Sequence, residues 1–191
     1  MNLKTCLLSS SILFAFTAPA FAQEYSSDGN HRNRSGTAIG VALATGHIGC
    51  ETRDGGDCGG VNPAGGLAIH VGGMVAPMVA ILGEAWGMGH TENNYTASQI
   101  LVTANVRAWA LPRLWFQGGL GVARSEVSYD DGVFMGTSQS DIVPAFAVGV
   151  GVELMSSRTF ALDLQLRGGS GFYEGDARVY NTALALGLNW Y

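Results

Sequence analysis

Apolar side chains alternate with small or polar side chains along most of the chain from Thr37 onward. The first such segment sets Ile39, Val41 and Leu43 against alanine and glycine at the positions between them. A period of two places alternate residues on opposite faces of a β-strand. The pattern recurs in segments that begin near residues 37, 67, 79, 100, 114, 145, 160 and 183. The sequence therefore predicts eight strands.

The connections between these segments alternate in length as well. Short turns are predicted at Ala76-Pro77, 111–113 and 156–158, whereas the segments around 46–64, 89–97, 128–139 and 172–181 are longer and polar. In an antiparallel meander, this alternation places the long loops at one end and the short turns at the other. Both termini then lie at the end with the short turns.

The two faces of the predicted strands differ in size and charge. The bulky face consists mainly of leucine, valine, isoleucine and phenylalanine and carries almost no charge. Such a surface would aggregate in water, but it suits a barrel in hydrocarbon. A closed barrel also satisfies its backbone hydrogen bonds within lipid. The sequence thus predicts an all-β fold, an eight-stranded antiparallel up-and-down transmembrane β-barrel.

The small face is the predicted inner surface, because an eight-stranded barrel is only just wide enough inside for side chains. A charge in so confined a space needs a partner or water. We therefore predict a plugged lumen held by ion pairs, and leave open a narrow gated channel in which the pairs exchange partners. The predicted lumen charge network comprises Glu84, Arg107, Glu153, Asp163 and Arg167.

The first 22 residues have the pattern of a secretory signal peptide. Lys4 gives a positive start, an apolar run follows, and a small-x-small cleavage site ends at Ala22. The residues after it show no periodicity. The predicted organisation is a signal peptide over 1–22, a flexible periplasmic leader over 23–36 and a barrel over 37–191.

Composition and charge exclude several classes of protein. With 10 basic and 15 acidic residues the net charge is −5, and the only lysine lies in the predicted signal, so we expect no nucleic-acid partner. The chain is 47% apolar and 13% charged, which is not typical of disorder. Its 28 glycines follow no collagen-like period.

Cys50 and Cys58 are the two cysteines that remain once the signal, with Cys6, is removed. An even number of cysteines in an exported chain indicates a disulfide. A metal site with the neighbouring histidine and aspartates lacks the spacing of a zinc or calcium motif. We predict a Cys50–Cys58 disulfide and no bound metal.

Aromatic and leucine side chains cluster beside the predicted turn near Pro112. Membrane barrels carry aromatic girdles at their two interfaces with water. We predict a girdle at the periplasmic interface that comprises Trp109, Leu111, Leu114, Trp115, Phe116, Phe160 and Trp190.

The signal, the eight-stranded meander and the aromatic C-terminus together resemble the small eight-stranded outer-membrane β-barrels of Gram-negative bacteria, the OmpA/OmpX-type family. The resemblance covers roughly residues 37–191. It implies an outer-membrane location and recognition of the last strand by the barrel-assembly machinery. In this chain the alternate apolar positions end at Trp190, one residue before the terminus. The implied assembly signal comprises Leu186, Leu188, Trp190 and Tyr191.

The resemblance carries no catalytic motif. Small barrels that modify lipid A are enzymes, and their chemistry needs a nucleophile or a water-activating group beside a base. No such set is recognisable among the four histidines, so we expect no enzyme, no catalytic residue and no cofactor.

The predicted role is envelope integrity or surface contact through the long loops, with outer-membrane lipid as the surroundings and an unknown surface ligand. We expect a monomer. A channel or transporter for small solutes, hydrophobic ones included, is the alternative, and its mark would be a lateral opening near the strand-breaking Pro144.

Overall fold

The computed structural model describes residues 34–52, 56–130, 135–157, 159–173 and 177–191, with the side chains of residues 57, 58, 135 and 177 left out. The predicted signal peptide and most of the predicted leader lie outside these residues. The described part of the chain includes no helix with the length and hydropathy of a membrane-spanning helix.

Antiparallel strands make up almost all of the described chain, and they close into a barrel. Each strand of the wall pairs with the next along the chain, and the first pairs with the last. The strands are β1 Thr37–Thr52, β2 Asp57–Ala76, β3 Val79–Glu92, β4 Tyr95–Trp109, β5 Leu114–Asp130, β6 Met135–Gln139, β7 Val143–Ser156, β8 Phe160–Phe172 and β9 Ala177–Trp190.

The barrel has eight positions although nine strands are described. The short β6 pairs with residues 126–130 of β5, at the end away from the periplasm, and β7 pairs with residues 114–123 of the same strand. The strands β6 and β7 therefore occupy one position in the wall. The predicted all-β, eight-stranded up-and-down barrel is confirmed.

The three short turns lie where the sequence predicts them, but the long loops are much shorter than predicted. Pairing continues outward to Glu51 opposite Asp57, and to Glu92 opposite Tyr95. The run of bulky lipid-facing side chains ends where the strands leave hydrocarbon. Backbone pairing between the strands continues beyond that point. Hydrophobic alternation therefore marks the membrane-spanning length and underestimates the strands.

The bulky face points outward along the wall, as predicted. Leu120 is 74% exposed and Leu43 is 70% exposed, while Ala42, on the opposite face, is 1% exposed. The interior holds alanine, glycine and most of the buried polar groups. The outer surface matches hydrocarbon and the interior matches a polar network.

The predicted aromatic girdle is wrong for two of its members. Trp109 and Trp115 are 3% and 1% exposed and lie inside the barrel. Each indole N–H donates to a buried carboxylate there, which lipid could not offer. Phe116 and Trp190 do face outward, and the Trp190 ring packs against Phe160 at 5.7 Å between centroids.

The wall is continuous at Pro144, which lies in β7 opposite Val122. The strand is interrupted just outside it, at residues 140–142. There the Ser140 N–H donates to the Ser125 carbonyl, and the Ser125 N–H donates to the Ser140 hydroxyl, both at 2.9 Å. These bonds join the two strands across the interruption.

Candidate functional site

The lumen at membrane depth is filled by a network of buried charges. The structure places all five residues of the predicted network there, and Arg34 joins them from the segment before β1. Among the described residues, the buried arginines and the buried acids are equal in number. They are Arg34, Arg107, Arg167, Glu84, Glu153 and Asp163.

Arg34 closes the periplasmic end of the lumen. Its Nη2 donates to both Glu153 carboxylate oxygens, at 2.7 and 2.8 Å, and to the Pro112 carbonyl at 2.9 Å. Trp109 Nε1 also donates to Glu153, at 2.9 Å. The Arg34 guanidinium lies 4.6 Å from the centre of the Trp109 ring. A buried carboxylate thus receives a charged partner and a neutral donor.

Tyr191 completes this end of the barrel. It follows β9, and its ring lies 5.8 Å from that of Trp109 and 5.6 Å from the Arg34 guanidinium. Burial raises the pKa of the Tyr191 hydroxyl to about 12, so the phenol is neutral at physiological pH. Within the predicted assembly signal, Leu186 and Trp190 point outward, whereas Tyr191 packs against Trp109 at the end of the lumen. The predicted signal is therefore divided between the two faces of the barrel.

Asp163 occupies the next layer of the lumen. It accepts hydrogen bonds from Trp115 Nε1 at 3.0 Å, from Asn189 Nδ2 at 2.9 Å and from Gln165 Nε2 at 2.7 Å. The described donors to this carboxylate are all neutral. These donors satisfy the hydrogen-bonding capacity of a buried acid.

Arg107 lies near Asp163 but contacts it through an amide. Its Nη1 donates to Asn189 Oδ1 and its Nε to Gln117 Oε1, both at 2.9 Å. Its guanidinium also lies 4.2 Å from the centre of the Trp115 ring, a cation–π distance. The predicted direct ion pairing does not extend to this arginine, because amide groups fill the space between opposite charges.

Glu84 and Arg167 form the direct ion pair of the central layer. Gln117 Nε2 donates to the second Glu84 oxygen at 3.2 Å, and Arg167 Nη1 donates to Gln165 Oε1 at 3.2 Å. The Arg167 guanidinium lies 4.8 Å from the centre of the Trp86 ring. This layer therefore connects β3, β5 and β8 across the lumen.

Glycines on the inner face make room for these long side chains. A Cβ at Gly151 would overlap the Trp115 ring, and one at Gly187 would overlap Gln165 and Asp163. The small residues opposite each polar group are therefore part of the network.

A neutral layer covers the network on its outer side. Asn181 Nδ2 donates to Gln99 Oε1 at 2.9 Å, and Gln99 Nε2 donates to the Tyr173 hydroxyl at 3.1 Å. The Tyr173 hydroxyl also bonds to the Ser125 hydroxyl at 2.6 Å. These groups cross the lumen and form the floor of the space above.

A vestibule of about 790 Å³ lies at the outer end of the barrel, between β1, β2, β4, β5 and the β3–β4 hairpin. The residues that line it include Ile48, Val61, Tyr95, Val127, Tyr129, Val179 and Glu92. Tyr95, Val127 and Tyr129 are exposed in this space.

The outer ends of the strands carry an excess of acid. Among the described residues of the segments 46–64, 89–97, 124–141 and 172–181, there are six acidic residues and two arginines. The periplasmic side differs, because the exposed Arg113 and the buried Arg34 lie there. The outer surface therefore presents a negative potential.

The described histidines do not form a catalytic set. His90 Nδ1 donates to the Pro63 carbonyl at 2.6 Å, and its Nε2 lies 3.6 Å from Glu92. His47 packs against Tyr180, and His70 lies in the lumen. Within the described ranges, no histidine hydrogen bond or ion pair reaches a serine, threonine or cysteine side chain, and no group of three metal-ligating residues comes together.

Cys50 and Cys58 lie on neighbouring strands near the vestibule. Cys50 is opposite Gly59, the residue after Cys58, and the register shifts just beyond this pair. The backbone therefore brings the two positions close together. The Cys58 side chain lies outside the described residues, so the disulfide stays a prediction.

A closed eight-stranded barrel with an apolar outer band and a charge-balanced interior is a transmembrane β-barrel of the bacterial outer-membrane type. No family model and no curated protein sequence matches the chain.

Solved structures share the fold. The chain is similar to Ail, the attachment invasion locus protein of Yersinia pestis, with a TM-score of 0.62 and 11% identity over 82% of this chain and 99% of that chain. It is also similar to Neisserial surface protein A, with a TM-score of 0.57 and 15% identity over 82% and 97% of the two chains. The likeness establishes a common fold.

Proposed function

We propose that this protein is a non-conducting outer-membrane barrel that acts in envelope integrity or surface contact through its outer hairpins. The observation that carries the proposal is the filled lumen, in which three arginines, three acids and three tryptophans are buried at successive levels. An ion that crossed the barrel would have to separate these buried charges from their partners, which is strongly unfavourable. The barrel therefore acts as a rigid support.

The outer ends of the strands supply the surface for contact. β3 and β4 pair as far as the two-residue turn at Asn93-Asn94, and β5 is extended by pairing with β6. Backbone pairing fixes the conformation of this surface, so little conformational entropy is lost when a partner binds.

Two comparisons bear on what such a surface could contact. Ail is named as an attachment invasion locus protein, which supports surface contact as a class of role. Another Ail structure contains sucrose octasulfate, a heparin analogue and a polyanion. The acidic outer segments of this chain do not favour such a ligand.

We propose further that the barrel is a monomer with no enzymatic activity, embedded in outer-membrane lipid by the barrel-assembly machinery. The scattered histidines support the absence of catalysis, since among the described residues none is hydrogen-bonded to a serine, threonine or cysteine side chain. The lipid-facing pattern of Leu184, Leu186 and Trp190 on β9 supports recognition of the last strand.

Single-channel conductance tests the proposal. The mature chain, beginning at Gln23, is refolded into a planar bilayer beside Glu153→Gln and Arg107→Ala variants. We expect no stepwise openings from the wild type, because its lumen charges are paired or hydrogen-bonded. Discrete openings whose size or frequency changes in these variants would contradict a plugged lumen and support the narrow gated channel.

Expression in a heterologous Gram-negative host separates the two proposed roles. A role in integrity predicts altered entry of a hydrophobic dye, whereas surface contact predicts altered cell-to-cell or cell-to-surface adhesion. The control is a variant in which the outer acids Glu51, Asp130 and Asp141 are replaced by the corresponding amides. Adhesion should change with the outer charge, while dye entry should not.

A further inference from the structure

The vestibule differs in polarity from the lumen beneath it. At membrane depth the inner wall carries charged and amide side chains, whereas above the Gln99–Tyr173 layer it combines valine, isoleucine and tyrosine with serine, asparagine and glutamate, and most of its area is apolar. A space that opens toward water would favour polar walls. Val127 and Tyr129 are instead exposed there, which is unfavourable unless something covers them.

The dimensions of the vestibule suit a small molecule. Its volume of about 790 Å³ lies within the ~300–1,000 Å³ typical of small-molecule sites. Its walls are mostly apolar with a few polar groups near them, which is the usual composition of such sites. The bonds of Gln99, Tyr173 and Ser125 close it below. This layer separates the vestibule from the charged lumen below.

The charge around the vestibule selects the sign of its ligand. The described residues that line the cavity include Glu92 and Glu126 but no arginine or lysine, and the Glu92 side chain is largely exposed there. A cleft bordered by one sign of charge concentrates ions of the opposite sign. Tyr95 and Tyr129 add ring faces, which attract cations.

We propose that the vestibule binds a small amphiphilic cation. The apolar or aromatic body of the ligand would pack against Val61, Val127 and Val179. Its cationic group would lie toward Glu92 and the tyrosine rings. This site goes beyond a role in surface contact, because it assigns a ligand class to the inside of the outer mouth.

Three probes with one aromatic ring in common test the proposal: benzyltrimethylammonium, benzyl alcohol and benzenesulfonate. The mature protein is refolded in lipid nanodiscs with labelled valine and isoleucine methyl groups, and each probe is titrated by NMR. We expect saturable shifts at vestibule methyls with the cation, weaker shifts with the alcohol and none with the sulfonate. Empty nanodiscs measure partition into lipid.

Matched variants locate the site. Val127→Asn should weaken cation binding by about tenfold, because it places a polar group on the apolar wall. Glu92→Gln should weaken it by roughly threefold, as expected for one exposed charge pair. Asp141→Asn removes an exposed outer acid that does not line the cavity and should leave the dissociation constant unchanged.

Three outcomes would overturn the proposal. Equal binding of the sulfonate would show that charge does not select the ligand. Unchanged binding by Val127→Asn would show that the cation does not bind in the vestibule. Shifts that spread without saturation over lipid-facing methyls would identify partition into the bilayer. Circular dichroism of each variant establishes that its barrel is folded, so loss of binding is not loss of structure.

Discussion

Single residues on the inner wall determine which side chains the lumen can hold. Trp115 lies flat against Gly151 while its indole N–H reaches Asp163. The glycine is required because a Cβ would occupy the space of the ring. A small residue here has a steric purpose, and the same residue on the outer wall does not.

Gly151→Ala should therefore lower the free energy of unfolding by about 1–3 kcal/mol, the usual cost of overpacking. The measurement is urea unfolding of protein refolded into lipid vesicles, followed by tryptophan fluorescence.

Gly118→Ala is the matched control, since Gly118 lies on the lipid face of β5 with nothing within 4 Å of a Cβ. Its stability should be unchanged or slightly higher. An equal loss in both variants would show that strand glycines matter for the backbone and not for the lumen.

The segment before β1 acts at the scale of an element, because Arg34 reaches from it across the lumen to β7 and the β4–β5 turn. Arg34→Ala leaves Glu153 buried without its charged partner. We expect a loss of about 3–5 kcal/mol, as for other broken buried pairs. Vesicle-based unfolding measures it.

The double variant Arg34→Ala/Glu153→Gln should recover part of this loss, because a neutral amide needs no countercharge and its oxygen still accepts from Trp109. Arg113→Ala removes an exposed arginine at the same end and should have little effect. A loss as large in Arg113→Ala would indicate a general effect of periplasmic charge.

The β1–β2 hairpin carries the predicted disulfide. Mass spectrometry of the unreduced mature protein should find one peptide pair joined through Cys50 and Cys58, and replacing both by serine should cost roughly 2–3 kcal/mol on the loop-entropy model. Two thiols that react with an alkylating reagent in the folded protein would show the prediction to be wrong.

The elements show how far the sequence could lead. Alternation alone locates the eight wall positions and the lipid face, because the side-chain period of a strand is two. The same alternation places Trp109 with Arg107 on the inner face, so the orientation of Trp109 could be predicted from the sequence. The partner of each charge could not be predicted, since Arg34 and Glu153 lie 119 residues apart and the segment before β1 has no periodicity.

At the scale of the whole molecule, stability depends on which face meets lipid. Leu120→Arg places a charge on the lipid face of β5 and should destabilise the barrel by about 2–4 kcal/mol. Leu111→Arg, in the turn at the periplasmic end, should cost about 0–1 kcal/mol. The measurement is the same unfolding titration in vesicles. Equal costs at both positions would contradict the assigned membrane span.

The contacts of Arg34 also bear on the order in which the barrel is completed. Its partners come from the β4–β5 turn, from β7 and from the residue after β9. A chain that is made and exported from its N-terminus presents this arginine long before any of them. The full set of contacts therefore forms only when the end of β9 is in place, and an Arg34 that makes all of them reports that the final strand has closed the wall.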